Sequence, residues 1–448
     1  MLFLYSNFIY DIAMDVKDKK IHFIGIGGIG ISAMARMCMS KGSTVSGSDR
    51  SESEITIALQ NEGMTISIGA DAKNIPENTD MVIYTIAISK DNPELIEAQN
   101  RKIEIKTYPE MLGVMTSGHR TIAVSGTHGK TTTTAMTAKV LESSGLDPYM
   151  IVGSLVKETT DGVEHYTNYR EGKSDLFVIE ACEYRRSFLN VNPFVLVITN
   201  IEEDHLDYYK DLSDIEDAFR ELAQKVPADG AIVCDPNNGS VAKVIKGLPA
   251  KIIDYTNVDI VKDDLRVPGE HNRKDARCAY RVAEFFGASE NDIKKGLLEF
   301  KGTWRRFEYI GELSTGAIVH DDYAHHPTEI LATLLGAREL YPNHRIVIAF
   351  HPHEYSRTKL LFNDFVDSLS KVDQVVIAPI FAARESFDPS ISSSILADEI
   401  KKNGGNAVAI DDFKDIENFL FEKTKKGDII ITMGAGDIYK VAEALKNR

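Results

Sequence analysis

The stretch Thr121-Ile-Ala-Val-Ser125-Gly126-Thr127-His128-Gly129-Lys130-Thr131-Thr132-Thr133-Thr134 decides how this chain is read. An apolar run, Ile122 to Val124, ends in a glycine turn. Ala135, Met136, Ala138, Val140 and Leu141 then recur at helical spacing as far as Gly145. Strand, turn and helix in that order describe a phosphate loop. Backbone N–H groups around Gly126 and Gly129 can converge on phosphate oxygens, because neither residue presents a Cβ. The phosphates then sit at a helix N-terminus, where the peptide dipoles favour negative charge. Lys130 reaches the terminal phosphates and the Thr131 hydroxyl ligates Mg²⁺. The loop is a variant of G-x-x-x-x-G-K-[ST], since Val124 stands where the first glycine belongs.

Upstream, Ile21 to Ile24 runs as a short strand into Gly25-Ile26-Gly27-Gly28-Ile29-Gly30, and helical spacing continues to Cys38. This matches G-x-G-x-x-G, with Asp49 at the end of the next strand where a Rossmann fold places a ribose-binding acid. A nicotinamide dehydrogenase would carry the same motif. The motif identifies a diphosphate at a helix N-terminus and leaves the nucleotide open. Further alternation at Met81 to Ile86 and Glu94 to Asn100 closes this unit near Thr116.

Downstream, Leu176 to Ile179 delivers Glu180 at its carboxyl end, and Phe194 to Thr199 runs into Asn200-Ile-Glu-Glu-Asp-His205. A carboxylate beside a phosphate loop is where a Mg²⁺ ligand is useful, since the ion bridges protein and phosphate oxygens. His205 as a ligand would favour Mn²⁺; a hydrogen-bonded loop histidine is the alternative. Asn272 opens a helix that could face an adenine edge. Gly302-Thr-Trp-Arg305-Arg306-Phe307 has the character of a hinge, with two guanidiniums able to fork onto phosphates. The last third alternates strand and helix. Its polar residues cluster at strand ends, in Asp321-Asp322-Tyr-Ala-His325-His326-Pro327 and His351-Pro-His353-Glu-Tyr-Ser-Arg357. Histidine and arginine in such a crevice suit a carboxylate and an amine proton.

At 448 residues the length points to about three domains. Apolar content of 43% and charged content of 26% belong to a globular chain. A net charge of −16 with no basic stripe argues against general nucleic-acid binding. Cys38, Cys182, Cys234 and Cys278 are widely spaced, which fits a reducing cytoplasm and argues against a thiolate metal site. The apolar start, Met1 to Tyr10, lacks a basic n-region and a cleavage site and is too short to span a bilayer, so no membrane insertion is expected. Residues 1–18 are read as an extension.

The variant loop, placed after a glycine-rich domain and followed by Glu180, Asn200 to His205, His271-Asn272, Arg305-Arg306-Phe307 and Asp322-Tyr-Ala-His-His-Pro327, resembles the Mur ligases. The resemblance runs from about residue 19 to 448 and rests on many motifs in fixed order. It implies an α/β chain of three domains: a Rossmann-like domain to residue 116 for the UDP part of UDP-N-acetylmuramate, a phosphate-loop ATPase-type domain over 117–305, and a Rossmann-like domain over 306–448 for the incoming L-alanine. By the same resemblance Gly25, Gly27, Gly28, Gly30 and Asp49 hold the UDP-sugar. Gly126, Thr127, His128, Gly129, Lys130, Thr131, Thr132, Asn272, Arg306 and Asp322 hold ATP. Thr131, Glu180 and His205 would ligate Mg²⁺ or Mn²⁺, and Lys130, His325, His326 and Arg357 would serve the chemistry. The chain departs from the family at Asp275, where asparagine is familiar, and at Thr85-Ile-Ala-Ile88. The activity implied is ATP-dependent ligation through an acyl phosphate, by a monomer or dimer. A ligase attaching a recycled murein peptide is the nearest alternative, and a dehydrogenase a remote one.

Overall fold

The computed structural model describes residues 16–160, 163–206, 208–383, 385–446 and 448. Most of the expected N-terminal extension lies outside the described residues. Within that stretch Val16 is buried in the first core, and Ser43 Oγ donates to its carbonyl at 2.6 Å.

The chain forms three α/β sheets. The first contains β1 (Lys20–Ile24), β2 (Thr44–Asp49), β3 (Thr65–Ile68), β4 (Met81–Tyr84) and β5 (Glu104–Thr107), all parallel, in the order β3-β2-β1-β4-β5. The second contains β6 (Arg120–Ser125), β7 (Tyr149–Thr160), β8 (Val163–Arg170), β9 (Leu176–Glu180), β10 (Val195–Ile198), β11 (Ala231–Cys234) and β12 (Lys251–Asp254), in the order β12-β11-β10-β6-β9-β7-β8. The third runs β13-β14-β18-β15-β16-β17, from β13 (Glu308–Glu312), β14 (Ile318–Asp322), β15 (Ile346–Phe350), β16 (Gln374–Ile377), β17 (Ala407–Ala409) and β18 (Ile429–Met433). Central strands such as Val195–Ile198 and Ile429–Met433 are buried along their whole length, as unbroken aliphatic runs covered on both faces should be. Among the described residues only the β7–β8 and β13–β14 pairs are antiparallel, and both lie at sheet edges.

The first two sheets make one compact unit, through Asp264 and again over Lys274–Phe300. Leu265–Arg273 and Lys301–Arg448 make the other. Inside the first unit the β7–β8 hairpin, which the sequence reading does not anticipate, docks on the helix Ile29–Ser40. Asn168 Nδ2 donates to Ile29 O at 2.6 Å and Ser32 Oγ at 2.8 Å, and its Oδ1 accepts from Arg36 at 2.5 Å. Among the described residues no helix is long and apolar enough to cross a membrane.

Candidate active site

β6 lies between β10 and β9, so the phosphate loop leaves the sheet with Glu180 at one flank and Asn200 at the other. Its conformation demands glycine twice. Gly126 and Gly129 have φ of 142° and 80°, and a Cβ would collide with Thr199 Oγ1 at the first and lie 2.5 Å from Asp275 Oδ1 at the second. The loop is braced from β10. His128 N donates to Asn200 Oδ1 at 2.9 Å, Asn200 Nδ2 and Thr199 Oγ1 donate to His128 O at 3.1 and 2.5 Å, and Thr127 Oγ1 accepts from Glu202 N at 2.9 Å. The helix Lys130–Ser143 then starts with no side-chain cap, which leaves first-turn N–H groups for an anion. The Thr131 hydroxyl makes no hydrogen bond among the described residues.

Lys130 Nζ donates to Gly126 O at 2.5 Å, Thr127 O at 3.1 Å and Glu183 Oε1 at 2.9 Å. Burial by itself would weaken its hold on a proton, but the charges of Glu183 and Glu180 hold its pKa above the ordinary lysine value. Glu183 is buried, and its second oxygen also lies 2.9 Å from Nζ, without hydrogen-bond geometry. The same carboxylate stands 3.6 Å from His205 Nε2, and one ligand atom each from Glu183, Asp204 and His205 fall within 4.8 Å of one another. Two carboxylates and an imidazole at that separation, one oxygen buried without a hydrogen bond, fit a divalent cation. Left-handed backbone aims the cluster: His205 has φ 54°, and Arg185 and Arg186, just after Glu183, have 52° and 56°. Of the expected metal ligands, His205 therefore joins this group. Glu180 turns one oxygen to Gly153 N at 2.8 Å and is not one of the three. Glu183 and Asp204 lie inside quoted stretches without an assigned role; the signal for Glu183 is its contact with Lys130, and for Asp204 its closeness to Glu183 and His205.

In the first domain Asp49 Oδ2 accepts from Gly27 N at 2.8 Å, so this acid closes the glycine turn. The helix Ile29–Ser40 begins at Gly28, also without a side-chain cap. Tyr108 presses on Gly30: a Cβ there would stand 3.0 Å from the phenol oxygen.

In the second unit Asn272 is buried and donates to Pro268 O at 2.6 Å. The two neighbouring arginines separate. Arg305 is not available for a phosphate fork: it is buried, with Nε donating to Asp321 Oδ2 at 2.8 Å and the Nη atoms to the carbonyls of Gly436 and Gly434 at 3.0 and 2.5 Å. Arg306 lies over the Tyr323 ring at 5.1 Å. Asp322 accepts N–H groups from Ala324 at 2.7 Å and Phe307 at 2.8 Å; burial pushes its carboxyl up to about 6 against the pull of Arg306. His325 and His353 face each other with ring centroids 5.8 Å apart, and Arg357 Nη1 lies 3.1 Å from His353 Nδ1. His326 instead caps the helix Pro327–Leu340, its Nδ1 accepting from Thr328 N at 3.3 Å. Burial pushes His325 down to about 4, which leaves it neutral near pH 7.

Comparison with known proteins identifies the family. Residues 20–120 match the Mur ligase family, catalytic domain; residues 124–287 the Mur ligase middle domain; residues 305–436 the Mur ligase, glutamate ligase domain. The chain is 41% identical over 460 residues to a UDP-N-acetylmuramate–L-alanine ligase of Clostridium kluyveri, covering 97% of this chain and 99% of that protein. It is 41% identical over 461 residues to the ligase of the same name from Clostridium acetobutylicum, at 97% and 98% coverage. The crystal structure of a UDP-N-acetylmuramate-alanine ligase from Thermotoga maritima superposes with a TM-score of 0.79 at 29% identity, over 96% of this chain and 98% of that one. The fold is shared, with a TM-score of 0.69 at 23% identity, by a murein peptide ligase from Psychrobacter arcticus, over 96% of this chain and 98% of that one. With three family domains in order and relatives at this identity over nearly its whole length, the chain belongs to the Mur ligase family.

Proposed function

We propose that this chain joins L-alanine to UDP-N-acetylmuramate at the expense of ATP, giving UDP-N-acetylmuramoyl-L-alanine, ADP and phosphate for peptidoglycan synthesis in the cytoplasm. The observation that carries the reading is Lys130, held between the phosphate-loop carbonyls and Glu183 beside an uncapped helix start. That is a cation poised for a terminal phosphate. The 41% identity to L-alanine ligases supports the choice of substrates.

In the proposed route the lactyl carboxylate oxygen attacks the γ-phosphorus, the bond to the ADP oxygen breaks, and an acyl phosphate results. The alanine nitrogen then attacks the acyl carbon and phosphate leaves with the C–O electron pair. Lys130 and the first-turn N–H groups hold the phosphates in line, so positioning and electrostatics supply the rate without a protein nucleophile. Thr131, Glu180 and His205 would hold Mg²⁺ or Mn²⁺, with Glu183 and Asp204 adjoining, and such an ion neutralises charge on the transferring phosphoryl oxygens. Asn272, Arg306 and Asp322 are assigned to the nucleotide, and Arg357 to the α-carboxylate of alanine.

The depressed pKa of His325 limits what it can do. Taking a proton directly from alanine's α-ammonium, a far weaker acid than an imidazolium of pKa about 4, would be strongly uphill. The zwitterionic adduct formed after attack is a far stronger acid, and there a neutral imidazole can accept the proton. His326 is committed to a helix cap.

The test is phosphate release with ATP and UDP-N-acetylmuramate while the acceptor is varied. L-alanine should give turnover and a murein tripeptide should not. Turnover with the peptide and none with alanine would transfer the chain to the recycling class.

A further inference from the structure

The Tyr108 phenol has no part in the reading above, yet its placement is specific. It opens the helix Tyr108–Thr116, whose Met111, Leu112 and Met115 are buried. That helix is seated on the central domain, because Gly113 packs so closely on Asn190 O that a Cβ there would collide with it. The N-terminus is fixed too, Thr107 and Glu110 capping one another, with Thr107 N donating to the Glu110 carboxylate at 2.7 Å and Glu110 N to Thr107 Oγ1 at 3.3 Å. From this rigid base the ring reaches the glycine-rich turn of the first domain. An ideal Cβ on Gly30 would lie 3.0 Å from both Cζ and the phenol oxygen, so the ring packs directly against the glycine. The hydroxyl has no hydrogen-bond partner among the described residues. Burial, then the nearby charges of Glu180 and Cys182, push the phenol's pKa upward, so it stays a donor and lies within electrostatic reach of Glu180.

A donor with no protein acceptor therefore stands beside the first turn of the uncapped helix Ile29–Ser40. We propose that Tyr108 is a substrate-binding residue whose hydroxyl donates to a diphosphate oxygen of the sugar nucleotide, fixing the direction in which the sugar leaves the glycine-rich turn. This rests on the proposed function for the identity of the sugar nucleotide, and adds a donor from outside the glycine motif. A neutral O–H is well suited to the task, since it completes the ring of backbone donors without adding charge beside the Glu180 carboxylate.

The test is Tyr108→Phe, which keeps the ring against Gly30 and removes one oxygen. Titrations with UDP-N-acetylmuramate and with UDP should both weaken, by about tenfold or more for a lost bond to a charged oxygen, while ADP affinity and the melting temperature of the unliganded protein stay at wild-type values. In turnover the loss should appear in KM for the sugar nucleotide, with KM for ATP unmoved. Unchanged affinity for both uridine nucleotides would overturn the proposal. So would weakening confined to UDP-N-acetylmuramate, which would put the hydroxyl on the sugar. If the wild-type chain itself fails to bind UDP-N-acetylmuramate, the functional reading falls first and this inference with it. A normal wild type beside an unaltered variant refutes the inference alone.

Discussion

The two glycine-rich turns, after β1 and after β6, share one construction and are finished in different ways. In the first, Asp49 closes the turn on Gly27 N–H, and the neighbouring side-chain donor is the neutral Tyr108. In the second the loop is braced by Thr199 and Asn200, and a lysine is held by two carbonyls and a carboxylate. The first suits a diphosphate whose charge does not change during a reaction, since neutral donors grip it and leave field elsewhere undisturbed. The second suits phosphates whose charge moves, because Lys130 can exchange Glu183 for a phosphoryl oxygen as that charge develops. On the proposed function, one local fold would serve as an anchor in one domain and as reaction machinery in the next.

The sharpest way to break this comparison is Lys130→Ala. Turnover should fall by about 10³-fold, as removal of a preorganised charge does elsewhere, while calorimetric affinity for the UDP-sugar stays near wild type. Glu183→Gln should cost less, about 10²-fold in kcat, by releasing the lysine without removing it. Equal damage to UDP-sugar binding in either variant would show that the turns do not divide the work.

Acid offers a second handle, because the unit containing both turns and the unit beyond it differ in their histidines. His271, His320, His325 and His351 are each pushed down to about 4, chiefly by burial, and all four belong to the second unit; in the first, burial lowers His119 as well. These groups take up protons in the unfolded chain below about pH 6.5 and in the folded one only near 4. Each therefore removes stability as pH falls through that window, at no more than about 1.4 kcal/mol per pH unit. Asp322, raised to about 6, works in the opposite sense and offsets part of this below pH 6. The second unit should melt first on acidification from pH 6.5 to 4, as hydrogen exchange resolved by segment would reveal; simultaneous loss of both units would contradict the assignment.

The smallest effect is expected from Asp49→Ala, which leaves Gly27 N–H without its acceptor but no charge buried alone. Affinity for the UDP-sugar should drop by about tenfold, with ATP binding unaffected. A larger loss of ATP binding would mean that the first turn is not an independent anchor.

Both turns could be read in the sequence because their function is local: strand, glycines and helix follow one another within about a dozen residues. The sheets were legible for the same reason, as apolar runs between turn signals. The remainder depends on what meets what in space. Arg305 and Arg306 are adjacent and chemically alike, yet only one faces Asp321 and the carbonyls of Gly434 and Gly436. His325 and His326 divide likewise, one facing His353 and the other capping a helix. Glu183 gains its importance from Lys130, 53 residues away. The β7–β8 hairpin and Tyr108 matter through their contacts with the helix Ile29–Ser40, which no spacing along the chain announces.

The central claim is that a phosphoryl group gripped by the second turn passes to a carboxylate carried on the first. It is tested most directly with UDP-N-acetylmuramate labelled with ¹⁸O in both lactyl carboxylate oxygens. After ligation to L-alanine, mass spectrometry of the released phosphate should find one ¹⁸O per phosphate and one retained in the new amide. Unlabelled phosphate alongside a formed amide would contradict the acyl phosphate and the roles given to both turns.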